Sequence, residues 1–129
     1  MVNVIITSDP RYKINRSLVT EAVENVLYLH KVTGNVEIEV SVVGDRKMHE
    51  LNKKYRGIDN TTDVLSFCLE DGTGAGFIAS PDKILRLGSI VISYPQAIED
   101  ASLDGKSIED EVNFLVDHGT THLLGIHHE

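Results

Sequence analysis

The stretch VEIEVSV at residues 36–42 decides the fold class. Its apolar and polar side chains alternate strictly, which is the pattern of a β-strand with one face against a core. Upstream, apolar residues recur at helical spacing in residues 15–31, where Asn15 or Ser17 can cap the helix, and residues 2–7 are apolar and β-branched. These patterns predict a strand, a helix and a second strand in that order.

Downstream of this strand the pattern becomes helical again. Residues 45–55 carry apolar side chains on one side, with Asp45 as the expected cap and Gly57 as the expected end of the helix. Two further apolar, β-branched stretches, residues 64–69 and 87–93, predict the third and fourth strands.

The remaining segments complete the predicted order. Residues 70–81 are rich in Gly, Ala and Ser and predict a loop, and Pro95 lies where a short helix can start. A capping-box pattern at Ser107 begins the last helix, which Gly125 should end. The sequence therefore predicts a single α+β domain over residues 1–129, with a mixed sheet of about four strands and about four helices.

Composition narrows the class of protein. The chain has 129 residues with 41% hydrophobic side chains, and it contains no apolar run long enough to cross a bilayer. The first residues lack the pattern of a signal peptide, so we expect a cytoplasmic protein without a membrane partner. Cys68 is the single cysteine and cannot form an internal disulfide, and we expect a buried, unreactive thiol.

Charge is distributed unevenly along the chain. The net charge of −8 argues against a general nucleic-acid binder. In residues 44–57, however, basic side chains outnumber acidic ones by five to two. This helix is therefore a candidate contact for a phosphate backbone, although a solvated helix face has the same composition.

Histidines are concentrated at the C-terminus, where four of six fall in the last twelve residues. His118 and His122 lie four residues apart, so a helix places both on one face, close enough to share a metal ion. A positive φ at Gly125 would return the chain so that His128 supplies a third ligand. His127 is the alternative third ligand. The alternative to a metal site is that the spacing of His118 and His122 is accidental, or that the last histidines begin an expression tag.

Three imidazole ligands leave one tetrahedral position open, which is typical of catalytic zinc. We therefore expect one Zn²⁺ ion per chain, although nickel, copper or iron also suits imidazole. The same histidine spacing occurs in zinc peptidases with the motif HExxH, whose glutamate is the general base. Gly119 occupies that position here, which decides against a peptidase.

Three stretches together resemble the YbeY family of endoribonucleases. HGTTHLLGIHH at residues 118–128 is similar to the family's HGxLHLxGxDH signature. LNKKYRG at residues 51–57, followed by TDVLSF at 62–67, is similar to LNxxYRxxxxPTDVLSFP, and LGSIVIS at 87–93 is similar to LGDIxIS. The matches run in the family's order from about residue 51 to the end of the sequence.

The resemblance implies a metal-dependent hydrolase that cuts single-stranded RNA in ribosomal RNA maturation and ribosome quality control. It implies His118, His122 and His128 as the metal ligands and Arg56 as an arginine lining the cleft beside the metal. A guanidinium group suits that role because it can hold a phosphate through two parallel hydrogen bonds. Ribosomal RNA and the ribosome are the implied partners.

The sequence departs from the family pattern at four positions. Thr61 and Cys68 replace prolines, and Ser89 and His127 replace aspartates. Two lost carboxylates change the polarity expected around the ligands. The sequence also ends one residue after His128, where the family usually continues, which implies a shortened or truncated member.

Two other functions remain open at this stage. The protein could be a metal-containing factor that binds RNA or the ribosome without turnover, using the basic helix. It could also be a metallohydrolase of a peptide, an ester or a small phosphate. The sequence does not specify the general base, the RNA sequence preference or the oligomeric state.

Overall fold

The computed structural model describes residues 1–69 and 84–125, and the predicted loop at 70–81 lies outside these ranges. Within them, the order of helices and strands is the predicted one, and none of these helices is long and apolar enough to cross a membrane. The elements are β1 (Val2–Ser8), α1 (Arg16–Leu29), β2 (Asn35–Val43), α2 (Asp45–Arg56), β3 (Val64–Cys68), β4 (Ile84–Ser93), α3 (Tyr94–Asp104) and α4 (Ile108–Leu123).

The strands described form one mixed sheet in the order β1-β2-β4-β3. β1, β2 and β4 are parallel, and β3 runs antiparallel to β4. β3 is therefore an edge strand, and its outer backbone groups face away from the sheet. This topology confirms the predicted α+β class and the mixed sheet.

The two faces of the sheet pack against different helices. The main core includes Ile38, Val40 and Ile90 of the sheet, covered by residues of α1 and α4 such as Val23 and Leu115. Because side chains alternate along a strand, Val91 of β4 points the other way from Ile90. A smaller cluster forms on that second face and consists of Met48 of α2, Leu65 and Val91.

Gly119 lets α4 approach the sheet closely. A Cβ atom at this buried position would lie 2.9 Å from Cγ2 and 3.0 Å from Cδ1 and Cγ1 of Ile90. Ile90 is fully buried in the main core, where close packing opposes movement of its side chain. Glycine at position 119 therefore has a steric reason, because any side chain there would force the helix or Ile90 to shift.

The predicted capping role of Asp45 is wrong. Gly44 is the N-cap of α2 and makes no side-chain capping bond. The Asp45 carboxylate instead accepts hydrogen bonds from the side chains of Ser93 at 2.8 Å, Thr61 at 3.0 Å and Gln96 at 3.2 Å. These contacts are long-range, which is why local sequence did not reveal them. They fasten the first turn of α2 to the loop before β3 and to α3.

The expectation that Cys68 is buried is also wrong, because Cys68 is exposed. It is the last residue of β3, which is the edge strand among the strands that the structure describes. Its thiol group lies 3.8 Å from the backbone oxygen of Leu123 at the end of α4.

We expect the variant Gly119→Ala to lower the free energy of unfolding by about 1–2 kcal/mol, because the added methyl group overpacks the contact with Ile90. Chemical denaturation measures this change. In an exposed helix the same substitution would stabilise by about 1 kcal/mol, so a variant as stable as the wild type would contradict the packing argument. The double variant with Ile90→Val removes Cδ1 and should recover part of the loss.

Candidate active site

An open cleft of about 640 Å³ runs along the edge strand β3. Three segments line it: the last two residues of α2, residues 62–67, and two histidines of α4. The cleft thus lies where helices from the two faces of the sheet meet at its edge. Arg56, His118 and His122, which the sequence singled out separately, all line this one space.

The histidine pair has the arrangement expected from its spacing. His118 and His122 occupy successive turns of α4, and their ring centroids are 4.5 Å apart with 60° between the ring planes. Both side chains are half-buried, so their ring nitrogens can reach the cleft. Two imidazole rings this close fit a shared ion with a preference for nitrogen ligands.

α4 ends immediately after this pair. The last helical residue is Leu123, and Gly125 donates its backbone N–H to the His122 oxygen at 2.9 Å. Gly125 has a φ of 82°, the positive value that the predicted chain reversal requires. His127 and His128 lie outside the described residues, so the third ligand stays a prediction. Within residues 1–69 and 84–125, no three side chains of metal-binding type come together.

Arg56 is held at the cleft by the way α2 ends. Gly57 adopts a φ of 71° and donates its N–H to the oxygen of Lys53, which closes the helix directly after the arginine. Asn52, buried in the same helix, donates its side-chain amide to the oxygen of Asn60 at 2.9 Å. This bond ties the loop after α2 to the helix, shortly before residues 62–67 that line the cleft.

Asp63 contributes a carboxyl group to the cleft and contacts a second one. The pKa of Asp100 is raised to about 6, first by burial, then by the hydrogen bond with Asp63 and by the negative charges of Asp63, Glu111 and Asp104. A carboxyl pair of this kind holds one proton more readily than two separate carboxylates. The cleft lining therefore combines a positive group, Arg56, with Asp63, whose carboxyl partner Asp100 lies outside the lining.

Two departures from the family pattern lie away from the cleft lining. Ser89 on β4 donates its hydroxyl group to Glu39 at 3.1 Å on the sheet surface. Thr61 precedes the cleft-lining segment and bonds to Asp45. These two replacements therefore act on the supporting structure rather than on the residues that line the cleft.

Sequence reasoning did not single out Tyr55, Asp63 and Phe67 as site residues, although all three line the cleft. Each lies within a stretch that was quoted as a motif, next to or near Arg56 or Thr62. Their position within those motifs was the sequence feature that could have identified them as site residues. Which of them face the histidines depends on the packing of β3 against α4, which local pattern does not specify.

The paired helical histidines and the arginine that line this one cleft offer nitrogen donors that suit a metal ion and a cation that suits an anionic group. The chain belongs to the YbeY family, because the family model described as "Endoribonuclease YbeY" matches residues 6–129.

Relatives named "Endoribonuclease YbeY" are similar over most of the chain. The protein of Roseiflexus sp. strain RS-1 is 41% identical over 90% of this chain and 72% of its own length. That of Chloroflexus aggregans is 36% identical over 99% of this chain and 82% of its own length. A solution structure of a Thermotoga maritima protein matches with a TM-score of 0.59 and 27% identity, over 98% of this chain and 75% of that one.

We expect the carboxyl pair of Asp63 and Asp100 to make the stability of the protein depend on pH. The raised pKa of Asp100 means that the folded state keeps a proton between about pH 4 and pH 6 that the unfolded state has lost. This group therefore makes the protein less stable as the pH rises through that window, by on the order of 1 kcal/mol after solvent screening. We expect Asp100→Asn to remove this contribution.

Urea denaturation of the wild type and Asp100→Asn across that pH range measures the difference. The gain in stability of the variant should grow from pH 4 to pH 6 and then stay constant. Glu99→Gln, an exposed neighbour on α3, is the matched control. A stability difference between Asp100→Asn and the wild type that did not change with pH would contradict the coupling of Asp63 and Asp100.

Proposed function

We propose that this chain is a metal-dependent endoribonuclease that cleaves single-stranded RNA in ribosomal RNA maturation and ribosome quality control. The observation that carries the proposal is that Arg56, His118 and His122 line one open cleft. Membership of the YbeY family supports RNA as the substrate. The ribosome is then the expected partner and the cytoplasm the expected location.

The histidines are the proposed ligands of the metal. His118 and His122 would hold the ion through their ring nitrogens, with His128 as the third ligand, and zinc is the metal that this donor set suits best. When bound, such an ion acts as a Lewis acid on a phosphoryl oxygen and lowers the pKa of a water molecule. Nickel and other divalent transition metals also accept imidazole ligands.

Arg56 is the proposed substrate-binding and charge-stabilising group. Its guanidinium is exposed at the end of α2 and lines the cleft with the histidines. It can hold two phosphate oxygens at once and stabilise the negative charge that builds on them during cleavage. Asp63, the one carboxylate among the described residues of the cleft lining, is the candidate proton acceptor for the attacking hydroxyl group.

A binding factor without turnover is the second candidate, because the basic side chains of α2 are exposed along its length. That surface alone explains RNA binding. It does not explain why Arg56, at the end of the same helix, meets two histidines in a cleft. The cleavage assay below separates the two functions.

Cleavage of a labelled single-stranded RNA tests the proposal. We expect the purified chain to cut this strand and spare the same sequence in a duplex, to lose activity with a chelator, and to regain it with Zn²⁺. Arg56→Ala should lower kcat by about 10²-fold without loss of metal, because it removes stabilisation of the transition state. Arg56→Lys should recover little, because lysine lacks the planar fork of donors.

Arg46→Ala is the matched control, since Arg46 is exposed on the first turn of the same helix and does not line the cleft. It should keep nearly full activity. Cleavage by Arg56→Ala at the wild-type rate would exclude the guanidinium from the mechanism. Tight RNA binding without turnover under any divalent metal would favour the binding factor, and cleavage only of peptides or esters would favour another hydrolase class.

A further inference from the structure

Tyr55 keeps a large aromatic ring in solvent at the mouth of the cleft. Its side chain is 57% exposed, although it lies on the last turn of a helix that packs on the sheet. The small core beneath α2 is built from other side chains, so the ring of Tyr55 is not required to fill it. Packing of the core therefore does not explain why an aromatic residue occupies this exposed position beside Arg56.

Phe67 holds the ring of Tyr55 in place. The two ring centroids are 5.2 Å apart, with the planes inclined by 69° in an edge-to-face contact. Phe67 is half-buried and packs against the small core, so it is anchored to β3. A ring supported in this way can accept a ligand without first losing its own conformational freedom.

Positive charge surrounds the same ring. The ammonium group of Lys54 lies over the ring of Tyr55, 5.1 Å from its centroid, on an exposed side chain that can move aside for a base. Arg56 follows Tyr55 in sequence and lines the cleft. An aromatic face next to cationic groups matches the two parts of a nucleotide, because the base stacks on the ring while the phosphate contacts the cation.

Other exposed aromatic rings in the described part of the chain lack this combination. Tyr28 is 79% exposed on α1 and does not line the cleft. Tyr12 and Tyr94 are half-buried, stack on each other at 4.7 Å and do not line the cleft. Phe114 is exposed and has the ammonium group of Lys106 4.5 Å from its ring centroid, but it lines a separate concavity between α1 and α4 and not the cleft.

We propose that Tyr55, braced by Phe67, is a base-stacking platform for the nucleotide next to the phosphate held by Arg56. The inference rests on the proposed function, since it assigns an RNA strand to this cleft. It also gives a physical basis for selecting unpaired RNA, because a base inside a duplex is stacked on its neighbours and cannot reach the ring. Tyr55 is thus a specificity-determining residue.

Binding of a short, fluorescently labelled single-stranded RNA tests the platform directly. Fluorescence anisotropy with the metal-loaded protein and a strand of 2′-O-methyl, phosphorothioate-linked nucleotides, which resist cleavage, measures affinity without turnover. We expect Tyr55→Leu to raise Kd about tenfold, the loss typical of one base–aromatic stack. Tyr55→Phe and Tyr55→Trp should bind as well as the wild type, because both keep an aromatic face. Tyr28→Leu, which removes an exposed tyrosine elsewhere, should also leave Kd unchanged.

A scan with abasic nucleotides identifies the stacked base. At one position of the strand, removing the base should weaken binding to the wild type, and it should cause no further loss with Tyr55→Leu. Equal Kd values for the wild type and Tyr55→Leu would overturn the proposal, as would additive losses at every position or absence of RNA binding by the wild type. Failure of cleavage alone would instead count against the proposed endoribonuclease activity.

Discussion

The contact between Gly119 of α4 and Ile90 of β4 is the constraint on which the cleft depends. Ile90 is part of the main core, and its side chain occupies the volume that any larger residue at position 119 would need. Successive residues of a helix are about 100° apart around its axis, so the face that touches the sheet also fixes where its neighbours point. His118 and His122 are therefore oriented by core packing, not by their own interactions alone.

The other wall of the cleft is fixed from the opposite face of the sheet. α2 packs through Met48 on Leu65 and Val91, and its last turn carries Tyr55 and Arg56 to the edge strand. The hydrogen bonds of Asp45 and Asn52 hold the loop between α2 and β3 in place. The candidate site residues thus come from two helices on opposite faces, and they meet at β3, which is the edge strand among the strands of residues 1–69 and 84–125.

Much of this architecture could be predicted from local pattern. The alternation in β2, the helical spacing in α1 and the capping box at Ser107 each depend on residues close in sequence, and the structure confirms the elements they predicted. The role of Asp45 could not be predicted, because its partners lie 16 to 51 residues away. Exposure of Cys68 depends on strand order, which local pattern does not encode.

The helical histidine pair was visible in the sequence because i,i+4 spacing defines a helix face. The cleft roles of Tyr55 and Asp63 required the packing of three segments.

The metal content of the untagged chain tests the central claim most directly, since the claim is that α4 holds a metal ion through His118 and His122. Elemental analysis after purification without added chelator should give about one equivalent of a transition metal for the wild type, and well under half for His118→Ala and for His122→Ala. His30→Ala, which changes an exposed histidine at the end of α1, should keep the full equivalent. A wild type with less than roughly half an equivalent, or undiminished metal in both α4 variants, would contradict the assignment of these two imidazoles as ligands.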